Sequence, residues 1–424
     1  MKDQIAFFFP PFGPRRLWGR SLPFPLFLFF SLSFPLSLLA QEEGALTLQQ
    51  VVSQVLAVHP LTQAAQARVQ AALGVVRQAR AYANPAFTFT DNEGSLERTY
   101  GFTQSLEWPF KRSYRIGVAE AEEQVAEEEQ NSVRQEVIAA AREAFLSALL
   151  AQEGTRVAEA FVEATQQLRR STEKLFQEGD IAEFEVVKAG VETMRAETDL
   201  EKVGGQLKTA LAGLNLLLGR AQDSPLALAG SLLALPSVRS LAELFPLAEE
   251  QNPLLMAQMR MVEKERLNLK LAWASLVPDL SIDAARGEGE EGDKVGPLTG
   301  LTFSFPLWDR KEGAISAARS KVAEAEATLQ ATQLHVRQTL LRAYRDWEVA
   351  SRQVDAFAKG LVVQAEQAAA LAEHSYREGE GDLLGVLDAE RSLLAVRRDY
   401  AQALFDTQLA WVTVERAAGI GTDQ

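Results

Sequence analysis

The chain repeats itself, and that constrains its fold more than any local pattern does. His59-Pro60 and Asn84-Pro85 recur as Asn252-Pro253 and Val277-Pro278, both 193 residues further on. Trp108-Pro109 recurs as Phe305-Pro306, and Val133-Arg134-Gln135 as Val336-Arg337-Gln338. The stretch from Phe176 to Gly179 recurs from Tyr376 to Gly379, and Gly219 as Gly419, at an offset of 200. A self-match of this kind means two copies of one structural unit. Each half reads helix, strand pair, very long helix, turn, long helix, and the drift in offset marks small insertions inside the helices. The expected division is a first repeat over 41–220, with a β-hairpin at 86–108 and a long helical hairpin at 113–219. A linker at 221–239 follows, and then a second repeat over 240–424, with a β-hairpin at 279–306 and a helical hairpin at 312–418.

The long helices show as heptads. Val157, Phe161, Ala164, Leu168, Ser171 and Leu175 alternate steps of four and three. The same alternation runs through Val336, Leu340, Ala343, Trp347, Ala350, Val354, Phe357, Leu361, Gln364, Ala368 and Leu371. The returning helices continue it through Leu200, Val203, Leu207, Ala210, Leu214 and Leu217, and through Leu393, Arg397, Tyr400, Leu404, Thr407, Trp411 and Val414. This is coiled-coil periodicity with left-handed supercoiling. Between Ser113 and Phe176 there is no Pro, so one helix can run about 64 residues, about 95 Å at 1.5 Å per residue. No globular core needs such a rod.

Four short stretches have period two instead. Phe87 and Phe89 alternate with Thr88 and Thr90, and Tyr100 and Phe102 with Gly101 and Thr103. Leu280, Ile282 and Ala284 alternate with Ser281 and Asp283, and Leu301, Phe303 and Phe305 with Thr302 and Ser304. These predict strands with one apolar and one small polar face, paired as two hairpins and bracketed by Pro85, Pro109, Pro278 and Pro306. One reading buries the apolar face in a soluble core. The other exposes Phe87, Phe89, Phe102, Leu280, Ile282, Leu301, Phe303 and Phe305 to lipid. Four strands cannot close a barrel and no spare sequence covers them, whereas three copies would supply twelve strands.

Composition narrows the function. The chain has no Cys and three His, which removes thiolate metal sites, cysteine nucleophiles and most imidazole chemistry. A net charge of -14 leaves no basic surface for nucleic acid. No enzyme activity and no cofactor are expected. Residues 1–40 read as a signal peptide: Lys2, Arg15, Arg16 and Arg20, an apolar stretch from Phe24 to Leu39, and a small-residue exit at Ala40. The expected destination is therefore extracytoplasmic; a transmembrane anchor is the rival reading of the same segment. Without Cys, no lipidated cysteine is expected.

The Pro-flanked hairpins, the tandem repeat and the run from Gly381 to Ala389 resemble the TolC-like outer-membrane efflux proteins over essentially the whole mature chain. The segment from Phe305 to Gly313, with Ala317 and Ala318, is similar to the heavy-metal CusC-like and CzcC-like branch, and Trp108 to Arg112 is its first-half counterpart. The resemblance implies a mainly α protein with a membrane β-barrel, a homotrimer combining a 12-strand barrel in outer-membrane lipid with a 12-helix periplasmic tunnel. It also implies a periplasmic adaptor and an inner-membrane pump of the RND type as partners, the chain being a passive exit duct for small molecules or metal cations. In that family the interhelical turns, here Gly179-Asp180 and Gly379-Glu380-Gly381-Asp382, form the periplasmic tip, and Asp388 falls on an acidic gate position. The second gate aspartate is Gly385 here and a basic tip residue is Gly381, so the closing network must differ.

Duller readings compete with several motifs. The run Gly287 to Gly292 matches a dinucleotide pattern, but three carboxylates would repel a pyrophosphate and no helix follows. Met256, Met259 and Met261 read as packing residues rather than a copper site, and His59, His335 and His374 lack partners at ligand spacing. Glu127 to Glu129 read as a solvated helix face. A soluble periplasmic coiled-coil adaptor is the main alternative; a secreted hydrolase lacks a nucleophile and base.

Overall fold

The computed structural model describes residues 45–91, 98–234, 238–288, 294–305 and 307–421. Residues 1–40, expected to be a signal peptide, the two hairpin turns and Pro306 lie outside the described residues. The first half contains β1 (Leu46–Thr47), α1 (Leu48–Val58), α2 (Pro60–Arg80), β2 (Ala86–Asp91), β3 (Arg98–Leu106), α3 (Pro109–Glu178) and α4 (Glu183–Leu217). The second contains β4 (Leu228–Ala229), α5 (Leu241–Gln251), α6 (Pro253–Ala274), β5 (Leu280–Glu288), β6 (Lys294–Phe303), α7 (Glu312–Ala356), a π-helical turn (Phe357–Leu361), α8 (Val362–Arg377) and α9 (Leu383–Ala418).

The breaks between elements are chemically parallel in the two halves. His59 Nδ1 accepts from the Leu61 N–H at 3.2 Å, and Asn252 Oδ1 from the Leu255 N–H at 3.2 Å. Each is followed by Pro at the first helical position, where a missing N–H costs nothing. The same logic starts α3 at Pro109 rather than Ser113 and makes it 70 residues long, about 105 Å. The segment expected as a linker is tied down. Leu228 and Ala229 pair in parallel with Leu46 and Thr47, and Asn215 Nδ2 donates to the carbonyls of Gln222 and Ser224 at 3.1 and 2.8 Å.

The long helices bury two adjacent seams rather than one. On α3 the heptad line from Val157 to Leu175 is at least half-buried, and beside it Ala158, Val162, Thr165 and Thr172 are fully buried. Two seams offset by one residue let one helix contact two neighbours. The second was illegible because Thr reads as polar; Thr165 and Thr172 satisfy their hydroxyls on the Val162 and Leu168 carbonyls of their own helix.

The heptad expected to continue through Leu361, Gln364, Ala368 and Leu371 does not hold. The π-turn inserts one residue, so the inward line passes from Phe357 to Val362, Ala365, Ala369, Ala372 and Tyr376, while Leu361 and Leu371 are exposed. Apolar residues stand at both 361 and 362, so the pattern alone cannot show the slip. The largest buried cluster joins Val51, Val55, Phe145, Leu214 and Leu404, and a separate cluster of Leu168, Ala189, Tyr376, Leu383, Val386 and Leu387 lies beside the interhelical turns.

The two hairpins join into one antiparallel sheet of order β2-β3-β5-β6. Leu106 opposes Leu280, which opposes Phe303, and Phe87 opposes Phe102, which opposes Ala284. The arms of the second hairpin run further than the alternation indicates, to Glu288 and from Lys294, past an irregularity between Ala285 and Gly287. In the other direction β6 stops at Phe303, so Phe305 lies two residues beyond the strand.

Candidate channel wall and tip

Strand register sorts the sheet residues into two faces. One carries Phe87, Phe89, Tyr100, Phe102, Leu280, Ile282, Leu301 and Phe303, all wholly or partly exposed. Phe87 is 71% and Leu301 62% exposed, values that no soluble core would leave. Phe305 extends this face, 70% exposed with its ring 6.3 Å from that of Phe303. At the end remote from the helices the face closes on a charged row, Asp91, Arg98, Glu288 and Lys294.

The opposite face is small and polar. Asp283 stands at its centre, its Oδ1 accepting from Thr103 Oγ1 at 2.8 Å and its Oδ2 from Thr302 Oγ1 at 2.7 Å. Three strands are thus cross-linked by one carboxylate. Sequence alternation marked Asp283 as polar but gave no sign that it would be a hub.

At the other end of the long helices, Gly179 and Gly379 take left-handed φ values of 87° and 77°. In both turns the same pair of hydrogen bonds closes the helix: Gly179 N to Phe176 O and Asp180 N to Leu175 O, then Gly379 N to Tyr376 O and Glu380 N to Ser375 O. The turns differ in how they restart. Asp382 caps α9, its Oδ1 accepting from the Gly385 N–H at 2.8 Å, whereas α4 begins after Ala182 and Asp180 caps nothing. Gly381 N donates to Ser375 O at 3.0 Å. Asp388 is exposed on α9, 3.7 Å from Arg391.

Arg391 belongs to a feature that sequence reasoning missed. Its Nε donates to Glu192 Oε1 at 2.9 Å, joining α9 to α4, and one heptad further Arg398 pairs with Asp199. The guanidinium of Arg391 holds the Glu192 carboxyl below the usual carboxylate range against the opposing effect of its burial. Tyr376, buried at 3% exposure, sets its hydroxyl 3.3 Å from Thr172 Oγ1 and 3.4 Å from Glu185 Oε2, and burial raises its pKa. Burial, with Glu373 facing it, likewise raises Glu390. The available signal was faint: Glu192 and Arg391, like Asp199 and Arg398, stand 199 residues apart with opposite charge, one residue off the 200-residue repeat of these helices. Among the described residues no group of His, Asp and Glu is arranged to hold a metal ion.

Comparison with known proteins agrees with this geometry. The family described as outer membrane efflux protein matches the chain twice, over residues 51–220 and 244–420. The cobalt-zinc-cadmium resistance protein CzcC of Cupriavidus metallidurans is 27% identical over 383 residues, 89% of this chain and 91% of that protein. Among solved structures, the outer membrane protein VceC of Vibrio cholerae is 20% identical with a TM-score of 0.72, covering 89% of this chain and 97% of that one. CusC, described in connection with transmembrane channel formation, is 19% identical with a TM-score of 0.72 over 88% and 92%. These matches set aside the soluble adaptor and the hydrolase. The chain belongs to the outer membrane efflux protein family, and it is the channel component of an efflux system rather than an enzyme.

Proposed function

We propose that three copies of this chain close a twelve-stranded barrel in the outer membrane, continued in the periplasm by a tunnel of twelve helical segments, and that this trimer is a passive exit duct. The observation that carries the reading is the sheet. It exposes one apolar face, and among the described residues β2 and β6 pair on one side only. Open edges do not occur in hydrocarbon, so the sheet must close on further copies. Four strands and four long helical segments per chain, taken three times, give the barrel and the tunnel.

The duct is fed by an inner-membrane pump of the RND type through a periplasmic adaptor that meets the turns at Gly179-Asp180 and Gly379 to Asp382, with Asp388 at the gate. Divalent metal cations are the cargo class favoured by the 27% identity to a cobalt-zinc-cadmium resistance protein over nine-tenths of the chain. Fractionation tests the assembly: the mature protein is expected in the outer membrane, migrating as a trimer unless boiled. Recovery as a soluble periplasmic monomer would reject it. Deleting the gene in its own host tests the cargo, with sensitivity to cobalt, zinc and cadmium expected to rise; a rise for organic drugs alone would reject a metal duct.

A further inference from the structure

The strands distribute their charges unevenly between the two faces of the sheet. Register places Asp91, Arg98, Arg286, Glu288 and Lys294 on the same face as Phe87 and Phe102. On the small polar face, with Thr88, Thr103, Ser105, Ser281 and Thr302, Asp283 is the single charged residue among the described residues. A closed barrel turns this face to its lumen. Asp283 belongs to β5, whose two neighbours, β3 and β6, are in the same chain, so copies joined at β2 and β6 leave it uncovered.

The carboxylate is fixed in place but not neutralised. Thr103 and Thr302, on the strands to either side, donate to different oxygens of Asp283 at 2.8 and 2.7 Å, and among the described residues Asp283 makes no ion pair. Each oxygen keeps acceptor capacity for the hydration shell of a passing ion. Twelve strands about 4.8 Å apart and tilted by about 40° close at a radius of about 12 Å, which sets three such carboxylates about 9 Å from the axis. Coulomb's law in water, screened by salt, then enriches a monovalent cation on the axis about fivefold at about 0.01 M salt and about twofold at about 0.15 M. A divalent cation is enriched by the square of those factors, and anions are depleted to the same degree. In a wall of hydroxyls and small neutral side chains, one residue per chain is enough to decide which sign of charge passes easily.

We propose that Asp283 is a specificity-determining residue of the duct, its three copies forming a ring in the barrel wall that favours divalent cations over anions at the exit. The inference rests on the barrel reading, and it is separate from Asp388, which lies beside the interhelical turns at the other end of the long helices. The chain has no cysteine, so a single introduced thiol reports the potential at its own position. Ala285→Cys puts that thiol on the inward face, two residues and about 7 Å along β5 from Asp283. Full trimers in vesicles are treated with trimethylammonioethyl or sulfonatoethyl methanethiosulfonate, one cationic and one anionic, and the ratio of the two rates cancels any change in the thiol itself. In Asp283→Asn and in Asp283→Thr that ratio should fall about tenfold at about 0.01 M salt and about threefold at about 0.15 M. With Asp283 in place, the ratio should also be higher at Ala285→Cys than at Thr99→Cys, four residues from Asp283 along the register and nearer the strand connections, a comparison that needs no change at Asp283. An unchanged ratio in assembled trimers of both Asp283 variants, or a ratio that rises from Ala285→Cys to Thr99→Cys, would overturn the inference and leave the barrel standing. Silence of Ala285→Cys toward both reagents while Ala284→Cys reacts would overturn the assignment of the lumen face, and the inference with it.

Discussion

Placing an arginine at Phe303 tests the sheet register and the membrane assignment at once. Phe303 faces the apolar side opposite Leu280, and its row lies about 15 Å along the normal from the Arg286 row, near the middle of a band of about 25 Å. A cation on a lipid-facing strand at that depth costs about 2 to 4 kcal/mol, and three protomers carry the change, so the barrel loses about 6 to 12 kcal/mol. Thr302 is the control on the neighbouring position. It faces the polar side, and Thr302→Arg loses a hydrogen bond worth about 1 kcal/mol but sets a cation against Asp283, to which the hydroxyl donates at 2.7 Å. Refolding from urea into vesicles, followed by heat-shifted electrophoretic mobility, should therefore show Phe303→Arg failing to form the trimer. Thr302→Arg should assemble and change the conductance. Equal assembly of the two variants would show that the face assigned to lipid is wrong.

Gly419→Ala should be far worse than Gly219→Ala, although both glycines close a helix at positive φ, 73° and 69°. A Cβ on Gly419 would meet Asn252 Cα at 2.6 Å, adding an overpacking cost to a left-handed strain of about 1 to 2 kcal/mol, whereas on Gly219 the nearest atom is Val58 Cγ2 at 3.6 Å. Denaturation followed by helical circular dichroism should separate them, and equal losses would refute the packing argument. Glu192→Gln should cost about 1 to 2 kcal/mol and flatten the acid limb of the stability profile. The carboxyl of Glu192 is held below its ordinary pKa by Arg391, so its contribution is complete above the ordinary carboxylate range and is lost as pH falls through the lowered value; an identical acid limb in the variant would contradict this. Asp388→Asn should reduce cation selectivity and multivalent-cation block in single-channel recordings while Asp399→Asn leaves both unchanged; an unaltered reversal potential in Asp388→Asn would remove it from the gate.

What the sequence showed and what it hid follow from range. Periodicity is a property of neighbours along the chain, so it revealed the alternation of Phe87 with Thr88 and the heptads of α9, where Leu404, Thr407, Trp411 and Val414 are all buried. It had no means of joining β3 to β5, whose partners Phe102 and Ala284 are separated by most of the first repeat. It also missed the π-turn, because one inserted residue leaves a run such as Leu361-Val362-Val363 apolar in either register. Ion pairs such as Glu192 with Arg391 were hidden for a different reason: charge on a helix reads as solvated unless the facing helix is known.

The two repeats also depart from each other at the interhelical turns, and the departures there replace apolar contacts by polar ones. Phe176 is exposed while its counterpart Tyr376 is buried against Thr172 and Glu185. Asp382 caps its helix while Asp180 caps none. Arg391 and Arg398 reach to Glu192 and Asp199, so each bond ties the returning helix of the second repeat to that of the first, and each is made of polar or charged groups rather than of methyl contacts. Apolar seams are non-directional and tolerate sliding, whereas a paired guanidinium and carboxylate has one geometry and is costly to half-break. The Arg391–Glu192 and Arg398–Asp199 links therefore fix the register of α9 against α4 at this end of the helices, which the apolar seams of α3 and α9 alone would leave freer to slide.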